Sequence, residues 1–396
     1  MIDFDDQSPT WSVRRFDDAL AIRKGNLDPA STPDEKFELF SIPAFDAAGQ
    51  PEVKFGREIG SSKVVVRPGD CLFSKLNPRI PRTWVVPTAN GLRQIASTEF
   101  WPLHSRFQSD EESYLAPEFL QWLFRYAGFL DEFRGEVAGG GQSRQRLQQD
   151  AIRDVEVPIP PLPEQRRLVA RVEALTGRAG ELLGLNASLV EDASRLLAAW
   201  YARITADSPT RRFGAVVKLT RRHVVTGPDE IYPELGIRSF GKGTFHKPAL
   251  TDQQLGNKRV FRINPGDLVF MNVFAWEGAI AVAKPEDEGR VGSHRFMAHE
   301  VDAAQATAEF LCYHFLTDHG LEQIRAASPG SAGRNRTLGI TKLHAIPVPV
   351  PPVEAQRRFS KLYALREKLR RLQIETEAEL AAFTPALLAK AFRGEL

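Results

Sequence analysis

Pro158-Ile159-Pro160-Pro161-Leu162-Pro163-Glu164-Gln165-Arg166-Arg167 is answered 191 residues later by Pro349-Val350-Pro351-Pro352-Val353-Glu354-Ala355-Gln356-Arg357-Arg358. A recurrence at so long a period marks two copies of one folding unit. At the same offset Glu118-Phe119-Leu120 returns as Glu309-Phe310-Leu311, and Leu196-Leu197-Ala198 as Leu387-Leu388-Ala389. Further upstream the offset becomes 197: Pro68-Gly69-Asp70 matches Pro265-Gly266-Asp267, and Arg15-Phe16 matches Arg212-Phe213. Each copy reads as a globular part, a proline punctuation and a periodic stretch. The expected boundaries are globular domains at 1–162 and 206–352, with helical segments at 163–205 and 353–396.

Proline is excluded from a helix interior but tolerated just before a helix begins, so each proline run predicts a helix start. After the first run, Leu168, Leu175, Leu182, Leu189 and Leu196 recur every seven residues. Val172, Ala179, Asn186, Ala193 and Trp200 fill the intermediate places. This 4-3 pattern predicts a coiled-coil seam, in which Asn186 either fixes the register or sits at a wet edge. The second segment offers Leu362, Leu365, Leu369 and Leu372, then Phe383, Leu387 and Leu388, interrupted at Thr376 and Glu379. A seam needs a partner. Two matched stretches in one chain make antiparallel pairing within the chain the expectation; a coiled coil between two chains is the alternative.

The globular parts read as mixed α/β. Lys63-Val64-Val65-Val66 and Asp267-Leu268-Val269-Phe270-Met271 are strand-like and lie beside Pro-Gly-Asp turns. Residues 117–133 and 306–327 have helical spacing of apolar residues and end in glycine-rich loops. The expected fold class is therefore a duplicated α/β (α+β) chain, with two mixed domains and two long antiparallel coiled-coil helices. The chain has 396 residues, 42% hydrophobic and 26% charged, which excludes a disordered or fibrous class. No apolar run approaches the ~18 residues of a membrane span. The acidic N-terminus lacks the apolar segment of a signal peptide, and the two cysteines, Cys71 and Cys312, form no metal-ligand spacing. Both features fit a reducing, cytoplasmic setting.

The candidate binding chemistry is basic. Gly139-Gly140-Gly141-Gln142-Ser143-Arg144-Gln145-Arg146 and Gly330-Ser331-Ala332-Gly333-Arg334-Asn335-Arg336 stand at equivalent places in the two copies. Glycine lets backbone N–H groups approach an anion, and arginine adds charge-assisted bonds to phosphate. The bland alternative is a solvated surface turn. Arg79, Arg82, Arg221, Arg222, Arg238 and Lys242 are further candidates for DNA contact. Gly236 to Gly243 approaches a phosphate-binding loop, but Gly243 replaces the Ser or Thr that would hold magnesium, so it reads as a basic hairpin or loop. Pro33-Asp34 with Glu52-Val53-Lys54 loosely fits a nuclease metal site, a permissive pattern with no counterpart in the second copy. His294/His299 and His314/His319 lack metal-site spacing. No catalytic or metal site is expected. One feature opposes DNA binding by the first domain: residues 1–162 hold 19 basic and 24 acidic residues, against 18 and 15 in 206–352.

The proline run entering Glu164-Gln165-Arg166-Arg167-Leu168-Val169 resembles the specificity (S) subunit family of type I restriction-modification systems. So do the chain end, Leu387 to Leu396, and two stretches that look like that family's target-recognition domains. These are Gly236 to Phe245, and the Pro-Gly-Asp strand followed by Ser97-Thr98-Glu99-Phe100. The second copy departs from the motif, since Ala355 stands where Glu164 does. The resemblance implies two target-recognition domains held apart by antiparallel helices, each reading half of a split double-stranded DNA target. It implies no cofactor in this chain. S-adenosylmethionine would belong to modification (methyltransferase) subunits docked on the helices, and ATP with Mg to a restriction (motor-nuclease) subunit. An S-like specificity factor of another phage-defence system, or a coiled-coil protein-binding scaffold, are the alternatives.

Overall fold

The computed structural model describes residues 11–132, 137–138, 146–227, 230–256, 258–330 and 336–396. It forms two compact units, one of residues 1–184 with 375–396 and the other of residues 185–374. Two long helices, Leu162–Thr205 and Val353–Phe392, each give one end to each unit.

In the first unit, Ser12–Arg15 pairs antiparallel with Glu156–Ile159, so the globular part opens and closes on the same ribbon. A four-stranded antiparallel sheet follows in the order Leu20–Ile22, Phe100–Ser105, Cys71–Ser74, Thr83–Val85. A five-stranded sheet runs Asn26–Leu27, Lys63–Val65, Arg93–Ser97, Lys36–Phe40, Glu52–Phe55. It is mixed, because Lys36–Phe40 lies parallel to Arg93–Ser97.

The second unit repeats this plan. Thr210–Arg212 pairs with Pro347–Pro349. The four-stranded sheet is Val217–Thr220, Phe296–Val301, Leu268–Met271, Ile280–Val282. The second sheet is reduced to Arg222–His223, Val260–Arg262 and Val291–Ser293. The hairpin of Leu235–Ile237 and Thr244–His246 adjoins it through a parallel bridge from Glu234 to Val291. The sequence repeat is thus a repeat of topology. The helical stretches are shorter than the periodicity predicts, Pro117–Leu123 with Ala127–Asp131, and Ala308–Leu316 with Asp318–Ala327. The last pair breaks at Thr317, whose hydroxyl caps the second helix through Gly320 N–H.

Two buried polar clamps explain why the matching blocks match. In each Pro-Gly-Asp turn the glycine is left-handed, at φ +83° for Gly69 and +87° for Gly266, a conformation open to glycine without penalty. The aspartate that follows is buried in both. Asp70 accepts from Arg67 N–H at 2.9 Å and takes the Arg23 guanidinium at 2.7 and 2.8 Å. Asp267 accepts from Asn264 N–H at 2.9 Å and takes Arg222 at 2.5 and 3.1 Å. The second clamp is the glutamine of the helix start. Gln165 Oε1 accepts from Ala116 N–H, while its Nε2 donates to Tyr114 O and Pro160 O at 2.7 and 2.8 Å. Gln356 makes the same three bonds to Thr307, Gln305 and Pro351. Both side chains are wholly buried, where an unpaired amide would be costly.

Within each unit the start of one long helix lies beside the end of the other, so the two run antiparallel. In the first unit, Leu168 and Val172 share a core with Leu387, Leu388, Ala391 and Phe392. In the second, Leu197 shares one with Phe359, and Arg366 Nε reaches Ser194 Oγ at 3.5 Å.

The buried face keeps one half of the heptad seam expected, since Val172 is buried and Ala179, Asn186, Ala193 and Trp200 are half-buried, whereas the leucine half turns outward along the helix. Leu168 is buried and Leu175 half-buried, but Leu182, Leu189 and Leu196 are 53%, 53% and 56% exposed. Leu365 and Leu372 are likewise exposed, while Leu369 is half-buried. The reason is the pitch of the α-helix. At 3.6 residues per turn a strict seven-residue repeat drifts about 20° each time, so Leu196 lies about 80° around from Leu168. From Ala179 onward the inward face keeps a 4-3 spacing, one residue out of step with the leucines: Ala179, Leu183, Asn186, Val190, Ala193, Leu197, Trp200 and Ile204 are buried or half-buried.

Candidate nucleic-acid interface

The two glycine-rich loops reach the body of their units by the same tether. Leu147 N–H donates to Lys75 O, and Leu338 N–H to Asn272 O, each at 2.9 Å. Lys75 and Asn272 are the residues that follow the matching strands Cys71–Ser74 and Leu268–Met271. In both units the described end of an arginine-bearing loop therefore lies against the loop that leaves an inner strand of the four-stranded sheet.

Of the four loop arginines, Arg144 and Arg334 lie outside the described residues. Arg146 is exposed and paired with Glu99 Oε1 at 2.6 Å. Arg336 is half-buried, with its guanidinium 5.3 Å from the Trp276 ring centroid and Nε donating to Gly330 O. In the first unit the adjoining loop carries Arg79 and Ile80, both exposed. In the second it carries the partly exposed Phe274 and Trp276. Arg238 and Lys242 project from the hairpin Leu235–His246 and are exposed, Arg238 lying 5.0 Å from the Phe245 ring centroid. Arg221 is exposed beside Phe261.

Two candidates, Arg82 and Arg222, are engaged within the fold. Arg82 is buried, its fork bonded to both carboxylate oxygens of Asp46 at 2.7 and 2.9 Å. Arg222 belongs to the buried Asp267 clamp. A guanidinium so engaged fastens the fold. Neither aspartate partner is a sequence neighbour, so spacing does not disclose these roles. Arg23, absent from the sequence candidates, has the same task in the first unit. In the loose nuclease pattern, Asp34 is bonded to Arg57, and Lys54 to Glu52 within the pattern itself. In the segment Gly236 to Gly243, Gly236 and Ile237 end the first strand of a hairpin and the rest is its turn, followed by the strand Thr244–His246 where a phosphate-binding loop has a helix. Among the described residues, no cluster of three or more His, Cys, Asp and Glu side chains is arranged to hold a metal ion, and no helix is long and apolar enough to cross a membrane.

Among the described residues, two other than glycine adopt a left-handed backbone, Asn77 at φ +50° and Phe240 at φ +62°. There is one in each unit, and both are in these loops. The histidines perform another task. His299 Nε2 lies 3.1 Å from His344 Nε2, and Tyr201 OH lies 2.6 Å from His314 Nδ1, both in the second unit's core. Burial, and for His299 also the neighbouring His344, pushes the imidazoles of His299 and His314 down to about 4, so both are neutral at pH 7.

No family model matches this chain, and no curated protein does either. Solved structures do match. The HsdS subunit from Thermoanaerobacter tengcongensis is 25% identical with a TM-score of 0.56, covering 98% of each chain. A chain from work on complex assembly and conformational transition of the type I R-M system is 24% identical with a TM-score of 0.63, covering 98% of this chain and 100% of that one. The type I restriction-modification S subunit from M. genitalium is 13% identical with a TM-score of 0.54, covering 98% of this chain and 97% of that one. Along nearly its whole length, the chain has a fold similar to the specificity subunits of type I restriction-modification systems.

Proposed function

We propose that this chain is a non-catalytic DNA-sequence-recognition subunit of a type I restriction-modification complex, reading a bipartite double-stranded target with one half-site per globular domain. The observation that carries the reading is the repeated tether of an arginine-bearing loop to the loop after an inner strand. Two similar loop clusters in one chain suit two half-sites, with phosphate contacts setting affinity and base-edge contacts setting sequence. Methylation, S-adenosylmethionine, ATP with Mg, and cleavage belong in this reading to modification and restriction subunits, and the site of action is the cytoplasm. The exposed Leu185, Leu189, Leu196, Leu365 and Leu372 of the second unit supply apolar helix surface for docking modification subunits.

The test is salt dependence. Replacing Arg144 and Arg146 together with alanine, or Arg334 and Arg336 together, is expected to weaken binding to all duplexes and lower the salt slope by about 0.9 for each phosphate contact removed. Unchanged slopes in both double variants would refute the phosphate role. The exposed leucines also favour a second reading, a coiled-coil scaffold that binds proteins alone. A gel shift of the chain with modification subunit on random duplex DNA separates the two: the scaffold predicts no shift.

A further inference from the structure

Phe240 sits on a turn whose backbone and side chain make opposite demands. Its φ of +62° is a conformation that a bulky side chain adopts only with strain, and Gly241 and Gly243 beside it are left-handed as well. The strained backbone is held from behind. Phe240 N–H donates to Glu277 O at 2.8 Å, Gly241 N–H to Gly278 O at 2.9 Å, and Ser239 Oγ to Glu277 Oε2 at 3.0 Å. The ring gains no burial in exchange, since Phe240 is 74% exposed. Strain that persists because its surroundings enforce it collects at functional sites. The flanking side chains on the turn are cationic and exposed, Arg238 and Lys242. The 275–278 turn behind it carries Trp276, with Arg336 at its ring.

We infer that Phe240 is a stacking wedge, its ring set against the base faces of the half-site read by the second unit, with Arg238, Lys242 and Arg336 on the surrounding phosphates. The inference rests on the DNA-reading proposal and adds a base-contacting residue to it. Apolar side chains presented this way unstack a base step and kink the duplex, and an aromatic ring gains stacking against any base. A turn fixed in advance loses little freedom on binding. Cationic neighbours favour a polyanion over an apolar protein surface as the occupant.

The full-length chain is used to select duplexes from a random-sequence library, and 2-aminopurine is scanned through the selected duplex. The wild type is expected to raise 2-aminopurine fluorescence at one step of one half-site. Phe240→Gly relieves the left-handed strain, so its melting temperature should equal or exceed the wild type. It should nevertheless lose about ten-fold in affinity together with the fluorescence rise. Phe240→Trp should keep both, and Lys242→Ala should lower the salt slope while keeping the rise. If the wild type selects no duplex, the DNA-reading proposal fails and the wedge with it. If the wild type selects a duplex and Phe240→Gly retains affinity, selected sequence and fluorescence, the wedge is wrong and the reading stands. Loss of a co-purifying subunit from Phe240→Gly, with DNA binding untouched, would make the ring a protein contact and equally overturn the inference.

Discussion

The first and second units share a frame and differ in what the frame carries. Both have the proline ribbon, the four-stranded sheet, the Asp–Arg clamp behind the Pro-Gly-Asp turn and the glutamine clamp at the helix start. They part at the second sheet, which is five-stranded in one and broken in the other. They part again in their histidines: seven of the eight fall in the second unit, with His299 and His314 buried in its core, and only His104 in the first. The lesson is that buried polar bonds set the common architecture, while the loops beside it differ in charge, aromatic content and length.

The comparison can be broken most severely at the aspartates. Asp70→Ala and Asp267→Ala each leave a partly buried guanidinium and a turn N–H without their acceptor. Each is expected to cost about 3–5 kcal/mol, read by urea unfolding. If only one of the two destabilises, the clamps are not equivalent.

Acid should separate the units next. His299 and His314 are held near 4 in the folded state and return to about 6.5 on unfolding, where the chain binds more protons. Their contribution is complete above pH 6.5 and is lost as pH falls toward 4. At pH 5 the second unit should have lost about 2 kcal/mol for each histidine. Thermal unfolding followed between pH 7 and pH 5 should show the second unit's transition moving down further than the first's. A common shift would contradict the asymmetry.

Gln165→Met and Gln356→Met should each cost about 1–3 kcal/mol, because buried backbone partners lose their bonds. Equal losses in calorimetry would sharpen the case for one clamp used twice. The smallest effect is expected at Leu196→Ser, within about 0.5 kcal/mol of wild type, because the side chain is already exposed. A large loss of stability there would restore the heptad seam.

The duplication is legible in sequence because a buried bonding pattern demands particular residue types. Gln165 and Gln356 recur since only an amide both accepts from one backbone N–H and donates to two carbonyls at that place. Gly69 and Gly266 recur since the turn is left-handed. The helix face is legible only in part. The every-seventh leucines draw the eye, yet Val172, Ala179, Asn186, Ala193 and Trp200 stay buried or half-buried while Leu182, Leu189 and Leu196 turn outward. Nor does a basic residue disclose its partner. Arg82 reaches Asp46 and Arg222 reaches Asp267 through folding, so residue type alone does not separate them from Arg238 or Lys242. Phe240 shows as part of a basic hairpin, but its strain and exposure exist only once the hairpin docks on Glu277 and Gly278.

Each unit also holds one cysteine, Cys71 in the first and Cys312 in the second, both shut away from solvent. Burial raises both thiols far above their ordinary range, Cys312 to about 12, so neither offers a thiolate to an alkylating reagent while its unit stays closed. The chain therefore comes with a built-in pair of opening sensors. Pulsed alkylation followed by peptide mass mapping would time the breathing of each half separately, without adding a label or altering a residue.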